Sequence, residues 1–342
     1  MANWYYRSEK IEIRMMMRIL LPILFLFVFA LPLFGEGIIV KTNPKTYHVK
    51  VAVEFEISGA IPNVLTLALP IPETNEYQDI KLIWASHGRI FNYLENDQRF
   101  LFCWFARNEI PSIVFHEFEV TMYDIAVDFS KIDKIYPYDT SNLQYRRYTS
   151  KSGIIIDPHH PKIKRIAKEI GKDITSPIVF AQRAYEYIGA NYKYGVIGIE
   201  NSLDKALRLG KGDCGQMSAI FISLLRNQGI PARHIVAVRP SYGDIKSENH
   251  VWAEFYLENY GWIPVDATAH MGDKKRHFFG DKKAFGVIFS RDCNVSIPDM
   301  RNDTRKIDYP QQYFWDQIGM TRGNVERRYF IESKLLESEP ID

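Results

Sequence analysis

The alternation of apolar and polar positions divides this chain into a strand-rich first half and a mixed second half. Val49, Val51, Val53, Phe55 and Ile57 alternate with Lys50, Ala52, Glu54 and Glu56, the period of two that marks a half-buried strand. Further strands are expected at Val64 to Leu69, Ile80 to Ala85, Phe100 to Ala106 and Ile113 to Phe129, separated by Pro, Asn and Gly signals. Several short strands over residues 36–130 predict a β-sandwich of immunoglobulin-like type. A stretch rich in Tyr, Asp and Arg, residues 131–150, reads as a linker. The period then becomes helical. His160-Pro161 leads Ile163, Ile166, Ala167 and Ile170, and Ser176-Pro177 leads Ile178, Ala181, Tyr185 and Ile188, each with proline at a first helical position. A third helix begins at Cys214, with Met217, Ile220, Phe221, Leu224 and Leu225 on its apolar side and Gly229 and Pro231 at its end. Next, His250, Trp252 and Glu254 alternate with Val251, Ala253 and Phe255. The run Gly261 to Val265 follows across a short turn at Glu258-Asn259-Tyr260, which predicts an antiparallel hairpin. A strand at Phe285 to Phe289 comes later, and the polar stretch Arg322 to Asp342 is expected to be a loosely attached helix.

These elements bring reactive residue types together. The hairpin would set Asp266, just past its second strand, beside His250, while Cys214 opens an apolar helix. A helix N-terminus offers unpaired N–H groups and the positive end of the macrodipole, which lower a thiol's pKa and are able to hold an oxyanion. Gly212 and Gly215 flank Asp213-Cys214, allowing a tight turn and close approach of a substrate backbone. A lone cysteine at a helix start is most simply a small buried residue. With His250 and Asp266 downstream, the pattern is instead that of a nucleophile, its base and an orienting acid. In that arrangement the carboxylate accepts the histidine Nδ1–H and leaves Nε2 aimed at the sulfur. Tyr192 and Tyr194, in an extended segment before the cysteine, are candidates for a second oxyanion donor; packing at a helix–sheet junction is an equally good account of both.

At these residues the chain resembles the transglutaminase-like superfamily. The likeness runs from about Tyr192 to Thr268. It rests on Tyr192-Lys193-Tyr194, a short helix over Ser202 to Gly210, Gly212-Asp213-Cys214-Gly215, Leu224-Leu225-Arg226-Asn227-Gln228-Gly229-Ile230-Pro231-Ala232-Arg233, His250-Val251-Trp252-Ala253-Glu254, and Trp262-Ile263-Pro264-Val265-Asp266. The resemblance implies an α+β, papain-like core in which a Cys-bearing helix packs on an antiparallel sheet. It also implies an N-terminal β-sandwich, and the roles of nucleophile for Cys214, general base and acid for His250 and orienter for Asp266. Ala267 stands where a proline is common in the family, which bears on the local turn and not on the carboxylate. The expected layout is a signal peptide or anchor over 1–35, a sandwich over 36–130, the linker over 131–150, a catalytic domain over 151–320 and a polar tail over 321–342. The implied chemistry is attack on a glutamine carboxamide or a peptide bond, giving a thioester that an amine or water resolves. A cysteine peptidase or amidase of the same fold is the alternative. A catalytically silent binding module is a third reading, against which the intact Cys, His and Asp speak.

Composition narrows this frame. With 46% hydrophobic and 25% charged residues the 342-residue chain is ordinary globular material. Lys plus Arg number 43 against 41 Asp plus Glu, and a cut after Gly35 would leave a neutral remainder, so no nucleic-acid partner is expected. The partner implied is a protein or peptide substrate. Arg14 and Arg18 precede an apolar run from Ile19 to Phe34 broken by Pro22 and Pro32, with Gly35 and Gly37 after it. Export to a periplasmic or extracellular space is expected, with a retained membrane anchor as the alternative. Of the cysteines Cys103, Cys214 and Cys293, one stays free if two pair; buried free thiols at Cys103 and Cys293 are preferred over a bridge. No Cys-x-x-Cys pair or histidine cluster supports a zinc site, and no cofactor is called for.

Overall fold

The computed structural model describes residues 37–93, 98–198, 202–272, 277–298, 304–319 and 323–338. The apolar segment Ile19 to Phe34 and its flanks lie outside them. Among the described residues no helix is long and apolar enough to cross a membrane.

The alternation around Val51 extends to a 21-residue strand, β1 (Ile39–Gly59), which is central to a five-stranded sheet. It pairs antiparallel with β6 (Ile113–Val127) on one side and β17 (Gly323–Ser338) on the other. Beyond β6 lie β3 (Gln78–Ala85) and the two-residue β12 (Asp281–Lys282). A second sheet has the order β16-β2-β5-β4, built from β16 (Phe314–Ile318), β2 (Val64–Ile71), β5 (Gln98–Ala106) and β4 (Arg89–Tyr93). Val49, Val51 and Val53 from the first sheet meet Leu65, Leu67, Leu69, Leu101 and Phe105 from the second in one apolar core. The other face of the second sheet, at Ala68 and Phe100, is covered by the hairpin β14 (Val295–Pro298) and β15 (Thr304–Ile307).

These two sheets correct the expected boundaries. Strands β16 and β17 come from the C-terminal part of the chain, so the sandwich is closed by both ends of the sequence, and its strand set differs from that read over residues 36–130. The stretch expected as a loosely attached helix is β17. Its Val325 and Ile331 enter the sandwich core, and Val325, Arg327, Tyr329 and Ile331 share one face at the period of two that marks a strand. The linker holds a short helix, α1 (Leu143–Thr149), capped by the Asn142 side chain.

The helical part follows the sequence reading closely. Helix α2 (Pro161–Ile170) is capped by His160, and α3 (Pro177–Asn191) by Ser176. Helix α4 (Leu203–Leu209) ends at Gly210, whose φ of 61° is the left-handed turn that favours glycine. Short parallel strands β7 (Lys193–Tyr194) and β8 (Lys211–Gly212) lead into α5 (Cys214–Asn227). A four-stranded antiparallel sheet follows, of order β11-β10-β9-β13, with β9 (Ala232–Arg239), β10 (Glu248–Leu257), β11 (Gly261–Val265) and β13 (Val287–Ser290). The hairpin β10–β11 turns through Asn259 at φ 68°. One face of this sheet, at Ala253, Phe255, Leu257 and Ile263, packs on α5 and its neighbours. The other, at Ile235, Ala237, Trp252 and Ile288, meets Tyr77 and Ile125 of the sandwich side. On that face Glu254, fully buried, accepts from Tyr77 Oη at 2.5 Å and from Arg233 Nε at 2.8 Å, and the guanidinium stacks 3.8 Å from the Trp262 ring. Sheet, helices and sandwich thus share buried surfaces, and from Gly37 onward the chain forms one compact unit. Cys103 is buried in the sandwich core and Cys293 in the helical one, both as free thiols.

Because Ile331 is 1% exposed within the sandwich core, Ile331→Ala should lower unfolding stability by about 2–5 kcal/mol. A urea titration measures this. A change within about 0.5 kcal/mol would return the C-terminal strand to the status of a loose tail.

Candidate active site

The start of α5 is fixed by a reciprocal cap. Asp213 Oδ1 accepts from the Gly215 N–H at 2.9 Å and the Gln216 N–H at 3.4 Å, while Gln216 Oε1 accepts from the Asp213 N–H at 2.7 Å. This arrangement explains the glycines differently from the sequence reading. A Cβ at Gly212 would lie 2.8 Å from the Gln216 Cβ, and one at Gly215 would lie 3.0 Å from the Tyr309 hydroxyl. Both positions are crowded by the protein's own side chains. The cap also consumes the Gly215 and Gln216 amides, and Met217 N–H donates to the Asp213 carbonyl. Of the first-turn donors, that of Cys214 itself is the one the cap does not use.

Cys214 is half-buried at this turn. Burial, reinforced by the Asp213 carboxylate, pushes its thiol up to about 11; the Val251 and Gly215 amides act in the opposite direction. The expectation of a thiol lowered by the helix end is therefore not met. The capping residue carries a negative charge that offsets the macrodipole at the sulfur. Contact with the Val251 amide places the sulfur beside β10, next in the chain to His250. Among the described residues the sulfur has no hydrogen-bonded side-chain partner, His250 included. Such contacts in a substrate-free site often close only when substrate binds.

His250 and Asp266 do meet. The hairpin register, Ala253 opposite Val265, carries Asp266 to the level of Trp252, diagonal to His250 on the same face, and His250 Nε2 lies 2.7 Å from Asp266 Oδ2. An anionic carboxylate only accepts, so Nε2 carries the proton and Nδ1 is the nitrogen left for the sulfur. This reverses the assignment read from the sequence, because the carboxylate follows the neighbouring strand and approaches the ring from its far end. The ring stacks on Trp252 at 5.9 Å and lies 4.9 Å from Phe285.

Asp266 is 1% exposed and has four partners. Oδ1 accepts from Thr268 Oγ1 at 2.9 Å and from the Ala269 N–H at 3.0 Å, capping the short helix α6 (Ala267–Gly272). This is the turn that Ala267 left open in the sequence. Oδ2 takes His250 Nε2 and also Lys282 Nζ at 2.6 Å. Burial opposes its ionisation, but the Lys282 charge and the His250 hydrogen bond outweigh burial and hold it well below the usual carboxylate range.

The two tyrosines separate. Tyr194 pairs in register with Gly212 and is 58% exposed. Its hydroxyl is pushed up by burial and then by the Cys214 and Asp213 charges, so it lies within reach of the sulfur's field. Tyr192 is buried in the helical core, and its neighbours are Tyr187 and Arg165.

Three residues near the site had no sequence signal. Lys282 is one of several cations in the basic stretch from Lys274 to Lys283. Tyr309, far along the chain, lies against Gly215 and edge-on to His234 at 5.4 Å, while Gln311 Nε2 donates to the His250 carbonyl at 3.2 Å. The segment carrying them borders a cleft of about 610 Å3 whose wall includes Asn249, Arg305 and Tyr309.

Comparison with known proteins agrees with this architecture. Residues 164–267 match the transglutaminase-like superfamily. An uncharacterized protein of Haemophilus influenzae is 24% identical over 279 residues, covering 66% of this chain and 73% of its own. Among solved structures, a Cytophaga hutchinsonii protein provisionally named a cysteine protease superposes with a TM-score of 0.57 at 15% identity, covering 89% of this chain and 94% of that one. The periplasmic domain of TgpA from Pseudomonas aeruginosa gives 0.38 at 14% identity, over 69% and 91% of the two chains. The resemblance read from the cysteine, histidine and aspartate segments is thereby borne out, together with a transglutaminase-like, papain-like core. The immunoglobulin-like character of the sandwich has no such support.

Asp213→Asn would keep the cap and remove the charge beside the sulfur. Because a neighbouring anion raises a thiol, the variant should alkylate faster with iodoacetamide at pH 8, by several-fold, and its rate should climb at lower pH than the wild type. Equal profiles would show that Asp213 does not hold the thiol up.

Proposed function

We propose that this chain is a thiol acyl-transfer enzyme acting on a glutamine carboxamide or a peptide bond through a thioester on Cys214. The observation that carries the reading is the His250–Asp266 pair at 2.7 Å, its carboxylate buried, set beside the strand position whose amide faces the Cys214 sulfur. In this reading substrate binding brings His250 Nδ1 to the thiol and takes its proton as sulfur attacks the carbonyl carbon. The carbonyl oxygen becomes an oxyanion, held by the Cys214 N–H and the Tyr194 hydroxyl. Collapse breaks the carbon–nitrogen bond, and the imidazolium returns its proton to the departing ammonia or amine. Water or a primary amine then attacks the thioester, with His250 again taking the proton and the Cys214 thiol restored. Asp266 fixes the ring and stabilises the imidazolium throughout.

The acceptor decides between transfer and hydrolysis. The open approach past exposed Tyr194 favours water as a competitor, so hydrolysis by the same residues is the second reading.

Mass spectrometry of glutamine-containing peptides incubated with and without a primary amine tests both. A gain of the amine marks transfer, and deamidated or cleaved peptide marks hydrolysis. Cys214→Ala should abolish either product, and an unchanged product yield would remove the thioester route. Tyr194→Phe should lower kcat roughly ten- to a thousandfold with KM nearly constant, while Tyr192→Phe should leave turnover near wild type. Wild-type turnover in a folded Tyr194→Phe chain would transfer the second donor to another group.

A further inference from the structure

Lys282 is the cation at the site that the reaction above does not use. It comes from β12, which is hydrogen-bonded to Ile125 and Ala126 of β6 in the sandwich, and its neighbours are tied down there as well. Lys283 Nζ and the Ala284 N–H both donate to Asp124, at 2.8 Å and 2.9 Å. From that anchorage the Lys282 side chain runs inward, its Nζ 4.3 Å from the centre of the Trp252 ring and 2.6 Å from Asp266 Oδ2. Its side chain is 8% exposed and that of Asp266 is 1% exposed. His250 Nε2 bonds the same oxygen from the other side.

We propose that Lys282 is a positioning residue that divides the Asp266 charge between an ammonium and the imidazole, and so sets the pH at which the Cys214–His250 pair gains its extra proton. The inference rests on the reading of these two residues as nucleophile and base. The sign follows from charge. A fixed cation one carboxylate away from the ring disfavours an imidazolium, so Lys282 holds the pair in its reactive protonation state down to lower pH than Asp266 alone would allow. The other ionisable groups facing the pair are Asp213 and Tyr194 at the sulfur, Glu248 of β10, Tyr309 from the C-terminal segment, Tyr185 of α3 behind Asp266, and Arg239 of β9, 5.4 Å from the centre of the Phe285 ring that flanks His250. Arg239 is paired with Glu248 and its side chain is 41% exposed, which leaves Lys282 as the buried cation bonded to Asp266. The same division explains why Asp266 stays ionised in a buried site without committing its whole charge to His250.

The test is the pH titration of the His250 ring followed by NMR in the full chain, which reads the imidazolium whether or not acyl transfer is found. Failure of the proposed reaction and failure of this inference are therefore separate outcomes. Lys282→Met should move the His250 midpoint up by about one pH unit. Lys282→Arg keeps the charge and should retain the wild-type midpoint. Lys282→Gln, which keeps a donor toward Oδ2 and lacks the charge, should behave as Lys282→Met and is read in its place if that chain does not fold. A wild-type midpoint in the neutral variants, or an equal shift in Lys282→Arg, would overturn the proposal. Failure of both neutral variants to fold, with Lys282→Arg intact, would overturn it too and leave the ion pair a purely structural contact.

Discussion

The carboxylate of Asp266 is where the separate parts of this molecule converge. It is removed from water, and a buried carboxylate is tolerated only when its lone pairs are met and its charge is balanced. Oδ1 is met by the first turn of α6, through Thr268 and Ala269, and Oδ2 by His250 from β10 and Lys282 from β12. The partners reach the acid from three different elements. A shift of any one would leave an unmet charge in the interior, so the acid fixes the relative placement of helix, hairpin and sandwich edge within narrow limits.

This arrangement changes what the sandwich is for. Strand β12 has only two residues and cannot be stable alone. It is held because β6 supplies a ladder and Asp124 accepts from the two residues that follow. Lys282 is thus delivered to the acid by the sandwich sheet. The buried Tyr77–Glu254–Arg233 chain makes a second polar link between the same two bodies, under the strand that carries His250. A helical core cut from its sandwich would lose both links, and with them a donor to each of two buried carboxylates. Separate labels for the two regions describe the sequence order better than the physical structure.

Elements with strong local signals were legible in the sequence. The 3.6-residue pattern from Met217 to Leu225, bounded by Gly229, gave α5, and the alternation around Trp252 with the turn at Asn259 gave the hairpin that joins His250 to Asp266. What escaped depends on contacts between distant segments. Nothing near Lys282 in the chain distinguishes it from the other cations of its basic stretch, and Tyr309 is defined only by the helix turn it lands on. The C-terminal strand was hidden because polar residues on its open face mask the alternation that Val325 and Ile331 carry. The ring nitrogen facing Asp266 was not legible at all, since it depends on which end of the imidazole the neighbouring strand approaches. The glycines beside Cys214 were correctly singled out, but for a substrate's sake; Gln216 and Tyr309 occupy the space that their missing side chains leave.

The resting state of the sulfur follows from the same local details. An α-helix begun by serine or threonine would offer its macrodipole to the first-turn thiol without a formal charge beside it. Here the cap is Asp213, which satisfies the Gly215 and Gln216 amides well but adds an anion next to the sulfur. Burial adds to this, and the two amides that face the sulfur do not compensate, so the free site favours a thiol. In the proposed reaction, activation then has to come from proton transfer to His250 at the moment of attack, which makes the ring's position and its sharing of Asp266 with Lys282 more important than the helix end. Under that proposal the sulfur stays weakly nucleophilic until a substrate closes the gap to His250. The neutral thiol is also the form less open to oxidants and electrophiles, whose damage falls mainly on thiolates.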